Sequence, residues 1–307
     1  MKIIHRDSIP EEAKGGMLAT GTFDGIHLGH KHVLEHLVGL KICSSSCPSV
    51  VATFSNHPRS VLFPSQKQGL LSTLDEKIEL FEKEGIDFVY LMEFTPTLAS
   101  MSPQQFIENY ILPLEPKGIV VGREHFFGKN KEGNVQIMED LGKEFGFSVI
   151  EASGFRKNDI NVSSSSIRFL LTEGDIEGAN ILLGHDYFFS GKVVEGLHIG
   201  KTLGYPTANL LLHDEKLIPA RGVYAAKAII HGQEHFGMLY IGNRPTFNNN
   251  ELSIEINIFN FIGNLYNEII RIVPVKRLRT DKKFLDATEL ITQIQADELQ
   301  TKQIFHI

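Results

Sequence analysis

The sequence predicts a two-domain α/β protein, an open parallel sheet with helices on both faces followed by a small antiparallel β-barrel and a C-terminal helix. Three observations carry this. From Met17 to about Gly184, apolar strand-like runs alternate with helical patterns, the order that builds βαβ units and a parallel sheet. Beyond Gly184 the segments are short, β-rich and separated by turn pairs such as His231-Gly232 and Gly263-Asn264, the texture of a small barrel. The last stretch, 287–300, sets Leu290, Ile291 and Ile294 on one helical face suited to cover that barrel. With 307 residues the chain can fill two cores, and the boundary falls near residue 185, giving domains 1–185 and 186–307.

In the first half, residues 17–23, 50–54, 88–94, 118–122 and 147–151 read as strands. Residues 27–42 read as a helix with Val33, Leu34 and Leu37 on one face. Thr73-Leu74-Asp75-Glu76 has capping-box spacing, and Ser102-Pro103-Gln104-Gln105 puts proline at the first helical position. In the second half, residues 222–230, 235–241, 252–261 and 268–278 read as strands. Ser253 to Ile258 alternates strictly, which sets Ile254, Ile256 and Ile258 on one face and Glu255 on the other.

Hydrophobic residues make up 42% and charged residues 22%, the balance of a globular protein. The net charge of −7 excludes the broad basic face that a nucleic-acid backbone requires. A nucleotide remains compatible, because one phosphate chain needs only a local nest and a few cations. No run of eighteen uncharged apolar residues occurs and the first residues lack a signal-peptide core, so the expectation is a cytoplasmic protein without a membrane partner. Cys43 and Cys47 have no third cysteine or neighbouring histidine to complete a zinc site, and read as two thiols.

The most informative segment is Gly21-Thr22-Phe23-Asp24-Gly25-Ile26-His27-Leu28-Gly29-His30, at a strand-to-helix joint. Such a joint aims free N–H groups and the positive end of the helix dipole at one point. His27 and His30 add ring donors there, so phosphate is the expected guest. The plain alternative is a pair of surface histidines on a first helical turn. Val162-Ser163-Ser164-Ser165-Ser166-Ile167-Arg168 opens another helix, where hydroxyls, N–H groups and Arg168 could hold phosphate; alone, a serine run is an N-cap.

These residues resemble the HxGH class of nucleotidyltransferases, and GTFDGIHLGH is similar to the form found in bifunctional bacterial riboflavin kinase/FAD synthetases. The resemblance implies a Rossmann-like nucleotidyltransferase sheet whose His27 and His30 contact ATP phosphates, while Ser163, Ser164, Ser165 and Arg168 hold the β/γ end and the departing pyrophosphate. It further implies nucleotide- or flavin-binding roles for Gly21, Phe23, Asp24, Gly25, Gly29, Asn56, Gly122, Glu124 and Gly128. The chain has Glu124-His125 where that family usually has aspartate or asparagine followed by phenylalanine, and Asn56 where proline is usual.

In the second half, Gly196-Leu197-His198-Ile199-Gly200-Lys201-Thr202 imitates a Walker A loop but has one residue too few between its glycines, and Pro206 forbids the helix that should follow. Thr207 and Asn209, two apart, point the same way on an extended strand and offer oxygens that suit Mg²⁺. A turn with satisfied polar groups is the competing account. The segments SGKVVEGLHIGKTLGYPTANL, GVYAAK, YIGNRPTF, IEINIF and LYNEIIRIVPVKRLR between Ser190 and Arg279 resemble the riboflavin kinase barrel. That resemblance implies that Thr207 and Asn209 hold Mg-ATP, that Glu255 takes the proton of the ribityl 5′-hydroxyl, and that Gly191, Gly200, Lys201, Gly204, Pro206 and Arg279 line the ligand. Lys201 stands where arginine is usual and Asn257 where histidine often stands.

The expected activity is phosphorylation of riboflavin to FMN by the barrel and adenylylation of FMN to FAD by the sheet domain, both with Mg²⁺ and ATP. Its partners are small molecules alone, and the sequence sets no oligomeric state. Two other readings stand beside it: a nucleotidyltransferase for another phosphate substrate with an inactive barrel, and a flavin-binding regulator.

Overall fold

The computed structural model describes residues 1–42, 47–66, 68–152, 156–157, 160–196, 199–243 and 252–307, except the side chains of 41–42, 156–157, 160–161, 199 and 201. They form two compact units, Met1–Ser164 and Ser165–Ile307.

The first unit is built on six strands: β1 (Lys2–His5), β2 (Met17–Thr20), β3 (Ser49–Phe54), β4 (Phe88–Met92), β5 (Gly118–Gly122) and β6 (Ser148–Ala152). All pair in parallel, in the order β1-β4-β3-β2-β5-β6. From β2 the chain winds outward through β3 and β4, then returns to lay β5 on the other side of β2. The carboxyl ends of β2 and β5 therefore flank the switch point at which open parallel sheets bind ligands. The helices are α1 (Leu28–Ile42), α2 (Pro58–Leu62), α3 (Leu74–Lys83), α4 (Pro96–Ala99), α5 (Pro103–Phe106) and α6 (Val135–Phe145). The expected capping box forms between Thr73 and Glu76, Pro103 opens α5 as expected, and Ser102 with Gln105 makes a second capping box. Leu34 and Leu37 of α1 are buried, and Ile107, Ile111 and Met138 pack with Leu18, Tyr90 and Ile119 of the sheet. A short hairpin, β7 (Arg156–Lys157) and β8 (Ile160–Asn161), follows β6.

The second unit is a closed antiparallel barrel of β9 (Phe189–Val194), β10 (Ala208–Leu212), β11 (Gly222–Ile230), β12 (Gln233–Asn243), β13 (Leu252–Ile258) and β14 (Ile269–Thr280). Helix α7 (Ser164–Glu173) carries the chain into it, and α8 (Ile176–Leu183) follows. Ala220 donates to the Leu171 carbonyl at 2.9 Å and Arg277 to the Glu173 carbonyl at 3.1 Å, so this helical pair folds with the barrel. A one-turn helix α9 (Ile199–Thr202) precedes β10, and α10 (Ala287–Phe305) lies on β11, β12 and β14.

Candidate active sites

The loop after β2 is strained where it turns toward α1. Phe23 at φ 49° and Ile26 at φ 38° occupy the left-handed region, costly for side-chain-bearing residues and characteristic of functional loops. Fixed hydrogen bonds hold it there: Gly25 N–H donates to Ser72 Oγ at 2.9 Å, and Ser72 N–H donates to Asp24 Oδ1 at 3.1 Å. The Ser164 hydroxyl, at the end of the first unit, donates to the Asp24 carbonyl at 3.1 Å. Asp24 and Gly25 thus brace the loop.

His27 sits just ahead of α1, where its Nδ1 accepts the His30 N–H at 3.3 Å. An accepting Nδ1 leaves the proton of the neutral ring on Nε2. The His27 and His30 rings stack at 3.6 Å between centroids and 14° between planes. A Cβ on Gly29 would lie 3.2 Å from the His27 ring, so glycine there lets the ring fold back over the helix start. Phe23 meets His30 edge-on at 5.2 Å. Burial, then the neighbouring His27 and Lys77, hold the His30 pKa well below the usual histidine value, so its imidazole is neutral at pH 7.

Gly21, Phe23, His27, Gly29 and His30 line one end of a cleft of about 1440 Å³. Ser163 and Ser164 border it, as do Gly122, Glu124 and Gly128 of the loop after β5. Phe54, Phe94, Phe106, Phe126 and Phe127 supply aromatic walls, so a histidine-lined floor adjoins flat apolar surface. Asn56 is not on this lining: its amide donates to the Phe94 carbonyl at 2.9 Å and accepts the Phe94 N–H at 2.8 Å. Ser165 is exposed on the first turn of α7, and Arg168, half-buried, lies one turn beyond Ser164 on that helix. His125 stacks near Phe127 with its Nε2 buried and unpartnered, and burial lowers its pKa to about 4. Lys77 of α3, which sequence reasoning missed, is buried beneath the floor and donates to the Phe54 carbonyl at 2.9 Å.

On the barrel, pairing of β10 with β13 puts Asn209 directly opposite Glu255. Thr207 donates to Glu255 Oε2 at 2.9 Å and Ser253 donates to Oε1 at 2.8 Å. Ser253 and Asn257 are buried, so the polar face of β13 is a built site face rather than a solvated one. Asn257 donates to the Pro206 carbonyl at 2.7 Å and so fixes the turn that presents Thr207. A Cβ on Gly196 would fall 2.1 Å from Asn209 Nδ2, so only glycine admits that buried carboxamide. Gly200 and Gly204 form the same turn, closed by the Tyr205 N–H donating to the Gly200 carbonyl at 2.7 Å. Gly191 lies in the barrel wall between Leu212 and Ile270. Arg279 is paired with Asp297 of α10, its Nε donating to Oδ2 at 2.9 Å and to Oδ1 at 3.1 Å. The Lys201 side chain falls outside the described residues. Among the described residues no group of three His, Cys, Asp or Glu side chains gathers to hold a metal. Thr207, Asn209 and Glu255 set hard oxygen donors side by side on the barrel.

A histidine-lined cleft at the switch point of a parallel sheet, carried in one chain with a carboxylate–hydroxyl cluster on a closed barrel, belongs to a two-headed nucleotide-dependent transferase. Residues 9–166 match the FAD synthetase family and residues 183–305 the riboflavin kinase family. The chain belongs to the bifunctional riboflavin kinase/FMN adenylyltransferase family. It is 36% identical to the member from Bacillus subtilis, over 99% of this chain and 98% of that one. It is 37% identical to the member from Listeria monocytogenes, over 94% and 92%, and 31% identical to that from Escherichia coli, over 96% and 94%. A crystal structure described as a macrolide-efflux protein from Streptococcus pneumoniae superposes with a TM-score of 0.89 at 30% identity, over 98% of each chain. That description belongs to the other protein; among the described residues here no helix is long and apolar enough to cross a membrane.

Proposed function

We propose that this chain converts riboflavin to FMN in its barrel and FMN to FAD in its sheet domain, with ATP as donor in both steps. The observation that carries this is the coexistence of the stacked His27–His30 pair at the head of α1 and the Thr207–Glu255–Asn209 cluster across β10 and β13. The adenylyl-transfer role falls to residues 1–185 and the kinase role to 186–307.

In the first reaction a phosphate oxygen of FMN bonds to the α-phosphorus of ATP as the bond to the β,γ-pyrophosphate breaks. FMN phosphate is already ionised at pH 7, so the site needs alignment and charge stabilisation rather than a strong base or covalent nucleophile. His27 directs its Nε2–H and the first turn of α1 its free N–H groups at the reacting phosphates. Ser163, Ser164, Ser165 and Arg168 receive the pyrophosphate.

In the second, the ribityl 5′-oxygen bonds to the γ-phosphorus and ADP leaves. An alcohol benefits from a positioned base, and Glu255 takes its proton. Thr207 and Asn209 would hold Mg²⁺, whose preference for few protein oxygens fits this donor set, and which would neutralise phosphate charge when bound. The ATP requirement also supports a cytoplasmic location, and the acidic net charge supports the absence of a nucleic-acid partner.

Incubating the purified chain with riboflavin and Mg-ATP and separating the products tests the reading. FAD supports both activities. FMN alone would leave the sheet domain without its assigned role, and no product at all would overturn the proposal.

A further inference from the structure

We propose that Lys77 is a positioning residue of the first site: its ammonium ties the carboxyl ends of β2 and β3 beneath the histidine pair and supplies a fixed positive charge that the phosphates of bound nucleotide complete. The inference rests on the cleft being the adenylyl-transfer site.

Lys77 enters on the first turns of α3 and is only 8% exposed. Its Nζ donates to the Phe54 carbonyl at 2.9 Å, and at 3.4 Å to both the Thr22 carbonyl and Thr53 Oγ1. Thr22 belongs to the histidine loop and lines the cleft; Thr53 and Phe54 end β3. One side chain thus gathers the two strand ends from which the site is built. Three neutral oxygens satisfy its donors but not its charge. Among the described residues no carboxylate reaches ion-pair distance of it. Asp24 acts on it only through space, and its own charge is felt by His30, itself stacked on His27.

A buried cation with no carboxylate in contact is costly, and the amino-terminal half of a helix is the wrong end of the dipole for it. A purely structural tie between two carbonyls would be met at lower cost by an uncharged donor. The missing counter-charge is what the cleft is shaped to receive. Burial lowers the Lys77 pKa to about 8, so phosphates arriving above it should draw a proton from solvent.

Calorimetry of Mg-ATP binding at pH 8, in buffers of different ionisation enthalpy, reads that proton directly. The parent chain should take up a fraction of a proton, while Lys77→Met and Lys77→Arg should take up none. Lys77→Met should lose tenfold or more in FMN-to-FAD rate while riboflavin phosphorylation by the same chain stays within twofold, and Lys77→Arg should recover most of the loss. No uptake by the parent chain, uptake that persists in either variant, or unchanged FAD synthesis in Lys77→Met overturns the proposal. Should Lys77→Met fail to fold, the parent chain against Lys77→Arg still decides it by proton uptake. His30→Ala separates the two levels: if it too leaves FAD synthesis intact, the site reading has failed and not merely the role of Lys77.

Discussion

The hydroxyl of Thr207 donates to the carboxylate of Glu255 at 2.9 Å, joining β13 to the turn ahead of β10 in one hydrogen-bonded unit. With Ser253 on its other oxygen, Glu255 is held as an acceptor, the state a base must be in before it takes a proton.

Glu255→Gln keeps the size of the side chain and removes its basicity. We expect riboflavin phosphorylation to fall by about 10²–10⁴-fold, the usual worth of general-base catalysis. Conversion of supplied FMN to FAD should stay within twofold. Equal loss of both, measured by product separation from riboflavin and from FMN as starting material, would break the two-site account.

His27 performs two tasks that can be parted. Its Nδ1 caps the start of α1 by accepting the His30 N–H, and its ring lines the cleft. Asparagine can still accept at the cap but carries no imidazole. His27→Asn should therefore lower FAD synthesis by about 10²-fold, the scale of losing one preorganised donor, with little change in melting temperature. His27→Ala should lose the cap as well, about 1 kcal/mol. His30→Ala should let FMN accumulate from riboflavin.

The histidine pair was legible because strand, glycine turn and helix start are consecutive in sequence. The parallel sheet and barrel were legible from their periodicities, and the alternation around Glu255 placed it opposite the isoleucines. What was hidden depended on distant partners. Lys77 follows a capping box on an amphipathic helix and reads as a surface lysine until β2 and β3 end against it. Asn56 reads as a ligand contact, yet the Phe94 backbone claims both ends of its amide. Strand β1 shows no alternation to detect, since only Ile4 of its four residues is buried. The pair α7 and α8 has the same helical texture as the segments before it, which is why a change of composition near residue 185 does not coincide with the start of the second compact unit at Ser165.

His125 makes a pH prediction. Its pKa is lowered to about 4 in the folded chain by burial, against about 6.5 when unfolded. Above pH 6.5 both states hold it neutral and it contributes no pH dependence. As pH falls below that value the unfolded state binds the proton first, so stability drops between about pH 6.5 and 4, by at most about 3 kcal/mol. His30 acts with the same sign. Urea unfolding at pH 7 and pH 4.5 should show a smaller acid loss in His125→Phe than in the parent chain; an identical loss would mean that the imidazole is not buried as described.

Arg279 gives the final prediction, because its geometry sets what it can do for a ligand. Its Nε reaches both oxygens of Asp297, and its terminal amino group lies 2.9 Å from Oδ2. Asp297 is buried on α10 and also accepts from Gln293 Nε2 at 2.9 Å. Arg279, one residue from the end of β14, lies opposite Val223 of β11, so the pair fastens the helix to the barrel. Only the remaining terminal nitrogen, which donates to the Thr280 carbonyl at 3.2 Å, could turn toward a ligand. Removing buried Asp297 leaves the partly exposed Arg279 uncompensated, which costs less than the ~3–5 kcal/mol of a fully buried pair. Asp297→Ala should therefore unfold the barrel unit well below the parental melting temperature. The KM of riboflavin kinase for ATP, measured at a temperature where the variant is folded, should change by less than about threefold, about 0.7 kcal/mol. A large rise in KM with an unchanged melting temperature would instead make Arg279 a ligand contact, with Asp297 only orienting it.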